Sequence, residues 1–401
     1  MSISTVPRVS PTQTKAASIL GLATATPAHS IAQTDAALVA QALKLSNRWH
    51  DALPALYRKS GVQRRGSVLL GPESIDTSER QSFYSPASES APFGPTTAER
   101  LRVYSDNAGP LLERACDHAI SQSKIEATKF THLVTVSCTG FFAPGVDIAL
   151  IQSLGLNSNI QRTHVGFMGC HGALNAIRVA KSIVDADANA IVLLGAVELC
   201  SLHQQYTDDA QQLVANALFA DGAASLVIAG ANWQSRVCEP VEADPMLVAE
   251  GAEVAGVADW RIGSTLSKWI PETTDLMSWT IGNHGFQMSL DPQVPGHIEQ
   301  HLEAELKAWL GEHGLAIQDV DAWAIHPGGP RIIQAVGTSL GLDPVQLVPS
   351  QSILAEHGNM SSPTVLFILE RLASERPDAR SCVLLAFGPG LCIEAVLLSA
   401  S

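Results

Sequence analysis

Cys170 lies in GFMGCHGALNAIRVAKSIV, residues 166–184, where a strand-like run breaks into a helical one, between glycines and with a histidine next to it. Downstream, Ala173, Ile177, Ala180 and Val184 step by four, three and four, which makes one apolar helical face. The thiol therefore sits at a helix N-terminus, where unpaired N–H groups and the helix dipole favour an anion. A thiolate there is expected to have a depressed pKa and to act as a nucleophile at neutral pH. A small, buried, inert cysteine is the other reading of the same segment. His326 ends the run DAWAI and precedes PGGP. A histidine at a strand end faces the rim where ligands bind in α/β folds, placed to take the thiol proton and hold the thiolate as an ion pair. With 13 histidines in the chain, position alone does not separate it from a capped surface imidazole. Asn359, in HGNMSSP, opens the helix-like TVLFILERLAS. Its amide can donate toward a developing oxyanion or serve as an ordinary helix cap.

These side chains need elements to carry them. ASILGLAT near residue 20, THLVTVSCTG, NAIVLLGAVEL, AASLVIAG, DAWAIH, SCVLLAFG and LCIEAVLLS read as strands apolar on both faces. Such runs suit a sheet covered by helices on each side, an α/β class. Residues 66–100, rich in Ser, Pro and Gly, read as a long surface excursion. An internal repeat organises the rest. CTGFFAPGVDIALIQSLGL (138–156) resembles HPGGPRIIQAVGTSLGL (326–342), each a strand end, a Gly/Pro turn and a helix ending in SLGL. In each copy a second helix follows, opening at Cys170 in one and near Asn359 in the other. The expectation is two duplicated halves, 17–235 with the cysteine and 236–401 with the histidine and asparagine, after a flexible tail at 1–16. Packing about a pseudo-twofold axis would then bring Cys170, His326 and Asn359 together.

A chain of 401 residues, 46% hydrophobic, can bury a large core. The formal net charge of −14, with no basic run, argues against nucleic acid or an anionic membrane as partner. Seven cysteines with no C-x-x-C pair do not read as a disulfide framework or a zinc site, and suit a reducing cytoplasm. The polar N-terminus has no signal-peptide core, and no apolar run reaches the roughly 18 residues of a membrane helix.

Taken together, GLATATPAH (21–29), CTGFFAPGVD (138–147), GCHGAL (169–174), ALFADGAASLVI (217–228), IHPGGP (325–330), GNMSS (358–362) and FGPGL (387–391) resemble the type III polyketide synthases, the chalcone and stilbene synthase group of the thiolase superfamily. The resemblance spans nearly the whole chain. It implies a thiolase-like five-layered αβαβα fold and a homodimer acting on malonyl-CoA and an acyl-CoA starter. No carrier protein and no metal or redox cofactor is implied. Cys170 would carry the acyl chain, with His326 and Asn359 as the decarboxylation and oxyanion pair; released chains would cyclise to a pyrone or a phenol. Phe219 matches a gatekeeping aromatic. Met288 falls at the second gate, with Phe286 two residues earlier. Cys138, Cys200, His203 and Trp279 would line the cavity, Trp279 either shortening it or opening onto a side tunnel for an alkyl starter. Lys59 matches a family CoA-binding lysine, Arg58 adjoins it and Arg331 is a candidate replacement for basic positions absent here. Ala143 stands where plant members often carry a methionine that reaches across the dimer. The alternatives are a ketoacyl-carrier-protein synthase III making one condensation, a synthase of polyhydroxy-aromatics from malonyl-CoA alone, and an inactive thiolase-fold scaffold.

Overall fold

All seven apolar runs form strands, and all seven belong to one sheet. In the computed structural model, which describes residues 17–73, 76–77, 79–233 and 260–400, the elements begin with β1 (Ala17–Ala25), β2 (Ser30–Ala32), α1 (Gln33–Ala42), α2 (Leu53–Lys59), β3 (Arg64–Gly66) and α3 (Thr97–Ser123). There follow β4 (His132–Ser137), α4 (Val146–Ser153), β5 (Gln161–Gly166), α5 (Gly172–Ala186), β6 (Ile191–Leu199), α6 (Ala210–Leu218) and β7 (Asp221–Ala229). After residue 260 come β8 (Trp260–Trp269), β9 (Met277–Gly282), β10 (Gly285–Leu290), α7 (Val294–Gly311), β11 (Ala322–Ile325), α8 (Pro330–Leu340), α9 (Pro344–His357), α10 (Thr364–Glu375), β12 (Ser381–Gly388) and β13 (Cys392–Ala400). The expected tail at 1–16 and the junction at 235/236 lie outside the described residues.

One mixed sheet of nine strands runs β11-β12-β13-β8-β1-β7-β6-β4-β5. Its two arms repeat one order. β4 and β6 are parallel, as are β11 and β12; β6/β7/β1 and β12/β13/β8 are antiparallel. The arms meet where β1 pairs with β8 through only Ala17–Ile262 and Ser18–Arg261. In the first arm β5 lies between α4 and α5; in the second its place in the chain is taken by α9. Hence five strands on one side and four on the other.

Three apolar clusters flank the strands. One joins α5 (Leu174, Ile177, Ala180) and α10 (Leu366, Ile368, Leu369) to one face of both arms. A second lies between α3 and the opposite face of the first arm, and a third between α7, α8 and the opposite face of the second. Strands covered on both faces have no need of alternation, which is why β6 and β7 are buried along their whole length. No helix among the described residues is long and apolar enough to cross a membrane.

The stretch 66–100 corrects one expectation. It has little regular structure, but it is not merely a surface excursion: Arg80 and Tyr84 are buried, and Tyr84 packs with α1, α2 and α6. Residues 97–100 are already the first turn of α3, opened by a capping box between Thr96 and Glu99.

Candidate active site

Cys170 sits in a tight 3-10 turn, Gly169–His171, that leads directly into α5. Gly169 has φ 77°, and a Cβ there would meet the Pro389 ring at 2.5 Å, so only glycine fits. Two residues earlier Phe167 also has a positive φ, 61°, a backbone cost that clusters at functional turns. His326 follows β11 directly, its N–H bonded to Leu385 O at 2.8 Å. Asn359 is held by a short bridge to Phe219 at the end of α6: its N–H donates to Leu218 O, and its carbonyl accepts from Ala220 N, each at 2.9 Å. Gly358 (φ 75°) permits this close approach of backbones.

The three side chains, contributed by both arms, line one buried chamber of about 20 Å³ with Phe219, Met288 and Phe387. A second chamber of about 30 Å³ adjoins Cys170 and is walled by Cys138, Cys200, Trp279 and Met288. A third, of about 90 Å³, shares Cys200, Phe219, Trp279 and Met288 with it. It extends outward between Ile31 of β2, Val39 of α1 and Leu43 just past it on one side and Leu69 and Leu70 of the irregular stretch on the other. Phe219 and Met288 border all three chambers. Phe286 does not reach Cys170; it lines only the third chamber and stacks on His203 at 4.2 Å. His203 is pinned on both sides, Nε2 at 2.7 Å from Thr139 O and Nδ1 accepting from Phe286 N–H at 3.0 Å. Trp279 donates from Nε1 to Cys138 O at 2.8 Å, and the Cys138 sulfur accepts from Gly169 N–H. Lys59 and Arg58 end α2 and Arg331 begins α8; all three are exposed, and none lines the chambers. Gly61, just past α2, packs against Pro330, so these cations lie on neighbouring elements.

Burial works against the expected ion pair. Burial pushes the Cys170 thiol up to about 12, against the pull of hydrogen bonds from Ser361 and Asn359. Burial also drives His326 down to about 3, with a smaller push from the nearby His171. Desolvation in this buried site thus favours a neutral thiol and a neutral imidazole over the ion pair. Loss of hydration outweighs the helix end. Asn359 is oriented: its Oδ1 accepts Ser361 N–H at 2.8 Å, which leaves the NH₂ as the end that faces the thiol.

Sequence reasoning passed over Glu198. Its carboxyl lies wholly buried under the site. It accepts from Cys138 N–H (2.9 Å), Thr139 Oγ1 (2.8 Å) and Ser362 Oγ (2.6 Å), tying the ends of β4 and β6 to the Asn359 loop. The signal was an acid inside the otherwise apolar run NAIVLLGAVEL. Arg65 was also missed; it holds the carbonyls of Asn216 and Phe219 and so fixes the gate at the end of α6.

Comparison with known proteins bears on the family. The family model for the N-terminal domain of chalcone and stilbene synthases matches residues 6–232, and that for the C-terminal domain matches 261–401. The chain is 33% identical over 388 residues to the alpha-pyrone synthesis polyketide synthase-like Pks18 of Mycobacterium tuberculosis, covering 96% of this chain and 91% of that one. It is likewise 33% identical over 386 residues to 1,3,6,8-tetrahydroxynaphthalene synthase of Streptomyces peucetius, covering 95% and 92%. Among solved structures, PKS-I from the brown alga Ectocarpus siliculosus superposes with a TM-score of 0.84 at 29% identity, covering 98% of this chain and all of that one.

Proposed function

The chain belongs to the chalcone and stilbene synthase family and is a type III polyketide synthase, an acyltransferase; from that premise we propose how its own residues run the reaction. Cys170 takes a starter acyl group from its CoA ester. As the sulfur bonds to the thioester carbonyl, the thiol proton passes to His326, because a thiol this buried does not wait as a thiolate. Malonyl-CoA then places its thioester oxygen between His326 and the Asn359 NH₂. The two stabilise the enolate formed as CO2 leaves, and the enolate attacks the Cys170 acyl group. The longer chain returns to Cys170 for another round and finally cyclises to a pyrone or a phenolic ring, the product types that the names of the two relatives carry. Lys59 and Arg331, with Arg58 beside them, receive the CoA phosphates at the outer end.

One observation carries this reading: a thiol, an imidazole and an oriented carboxamide from both arms line one closed chamber. The starter is a fatty acyl group, whose alkyl tail the third chamber accepts along Val39, Leu43, Leu69 and Leu70. The three apolar clusters support a five-layered αβαβα sandwich with α5 and α10 as its central layer, and we divide it into the halves 17–235 and 236–401. The enzyme works as a homodimer. Of the sheet's two edges, β11 is buried, while β5 exposes residues 161–164, and an open edge of this kind seeks a partner strand.

The test is Cys170→Ala against Asn359→Ala, with malonyl-CoA alone and no carrier protein. Cys170→Ala is expected to abolish condensation while CO2 release from malonyl-CoA partly survives. Asn359→Ala should slow CO2 release itself by about 10²–10³-fold, the usual cost of one oxyanion donor. Loss of both activities in Cys170→Ala, or of neither, would overturn the assignment.

A further inference from the structure

Met288 stands on a strand whose outer edge is finished by side chains. In the β9–β10 hairpin, Phe286, Met288 and Leu290 lie opposite Ile281, Trp279 and Met277. Their backbone N–H groups are taken from outside the hairpin. Phe286 N–H donates to His203 Nδ1 at 3.0 Å, Met288 N–H to Gln212 Oε1 at 3.2 Å and Leu290 N–H to Gln211 Oε1 at 2.9 Å. The carbonyls are taken too: Gln205 Nε2 donates to Phe286 O at 3.0 Å, and Gln212 Nε2 donates to Met288 O. Among the described residues no third strand covers this edge. A two-stranded hairpin is marginal alone, and a bare edge leaves unpaired donors and acceptors. Here carboxamides replace the missing strand.

Most of them come from α6. Gln212 and Asn216 are four apart and share one face of that helix. Each grips both backbone groups of a single residue. Gln212 holds Met288 as just described. Asn216 Oδ1 accepts Gln205 N–H at 2.9 Å, and its Nδ2 donates to Gln205 O at 2.8 Å. Gln205, so fixed, reaches Phe286 with its own side chain. The helix is tied at both ends. Asp209 caps the N–H groups of Gln211 and Gln212, and Arg65 holds the carbonyls of Asn216 and Phe219. Phe219 and Met288, which border all three chambers, therefore depend on one helix. Phe219 is its C-terminal cap, and Met288 is attached to it through Gln212.

We propose that Gln212 is a positioning residue for Met288, and that it fixes the width of acyl chain admitted between Cys170 and the third chamber. This rests on reading Phe219 and Met288 as the gate between the chambers. A methionine side chain is unbranched and adaptable, so it sets a definite width only where its backbone is held on both sides. β9 holds one side of Met288, and Gln212 holds the other. Without the carboxamide, both backbone groups of Met288 lose their partners together. Buried groups left unpaired are costly; they turn to water, β10 moves away from α6, and the passage widens. Gln212 itself lines the third chamber, so its loss is read out in the same space that the acyl tail occupies.

The decisive comparison is Gln212→Met, which keeps the length and removes the donor and acceptor, with Met288→Ala, which removes the gate, and with the double variant. The readout is the ratio of kcat/KM for a wide starter, benzoyl-CoA, to that for a narrow one, octanoyl-CoA, each with malonyl-CoA. In Gln212→Met the ratio should rise about tenfold, the scale on which an apolar pocket tells one methylene apart. Met288→Ala should raise it as well. Adding Gln212→Met to Met288→Ala should then change it no further, because the two act through one element. A merely structural part for Gln212 would lower both starters together, so an unchanged ratio in Gln212→Met overturns the proposal. A full second increase in the double variant overturns it too. If Met288→Ala leaves the ratio unchanged, the gate reading itself has failed and the proposal falls with it. Should Gln212→Met not fold, amide hydrogen exchange of the wild-type enzyme decides. A Met288 N–H exchanging as slowly as that of Gln287 inside the hairpin supports the clamp, and one exchanging like a free strand edge overturns it.

Discussion

Cys170 shows how far a single environment can override a local rule. Helix position alone favours the anion, but the folded chamber strips water from the sulfur and so favours the protonated thiol. Alkylation of Cys170 by iodoacetamide is therefore expected to accelerate steadily from pH 6 toward 10. A fast rate that is flat across neutral pH would show a resting ion pair instead. Glu198 makes a second prediction. Burial raises its carboxyl from 4.5 to about 7. Between those values the folded chain keeps a proton that the unfolded chain releases. Its stabilisation is complete below about pH 4.5 and is lost as pH rises through 7, on the order of 3 kcal/mol in all. Glu198→Gln should flatten the fall of Tm with pH across this window. Asp221, raised by burial to about 6, contributes with the same sign in both proteins, so the difference between them isolates Glu198.

At the scale of elements, the hairpin β9–β10 brings Trp279 and Met288 opposite one another and over the cysteine chambers, while α1 closes the outer end of the third chamber. Val39→Trp, on α1, is expected to lower kcat/KM for long acyl starters about tenfold or more while leaving an acetyl starter unchanged, as mass spectrometry of products would show. Equal loss for both starters would mean that the chamber does not hold the alkyl tail. Elements of this kind were the least legible in the sequence. β8, β9 and β10 are only partly buried, and β5 is largely exposed, so none has the doubly apolar signature that marked the seven expected strands. Tyr84 sits in a Ser- and Pro-rich stretch whose composition says surface. Its burial depends on α1, α2 and α6 arriving from elsewhere. The turns carrying Cys170, His326 and Asn359 were legible because each joins a strongly periodic helix or strand to a Gly/Pro break. Their protonation was not, since desolvation is a property of the assembled chamber. Glu198 was hidden by its neighbours: one acid in a strand run reads as an edge until its donors, from two distant segments, are in place.

Over the whole molecule, the repeat seen between 138–156 and 326–342 is the trace of a larger correspondence. Both arms use the same strand order, and the nucleophile of one arm occupies the turn that carries Asn359 in the other. Dimerisation is tested at this scale. Phe141, Met168 and the exposed residues of β5 lie along the open edge. Phe141→Asp with Thr163→Asp should convert the proposed dimer to single chains in light scattering, since like charges would then face each other across the edge. A dimer that survives this double substitution would have to be built on another face.

The replacement of a strand by α9 in the second arm has a consequence for assembly. With the side chains of β11 buried, the nine-stranded sheet offers one open ladder among the described residues, β5, and the twofold pairing proposed above would consume it on both sides. Association of this kind is self-limiting: two copies complete the ladder, and no third can extend it into a fibre.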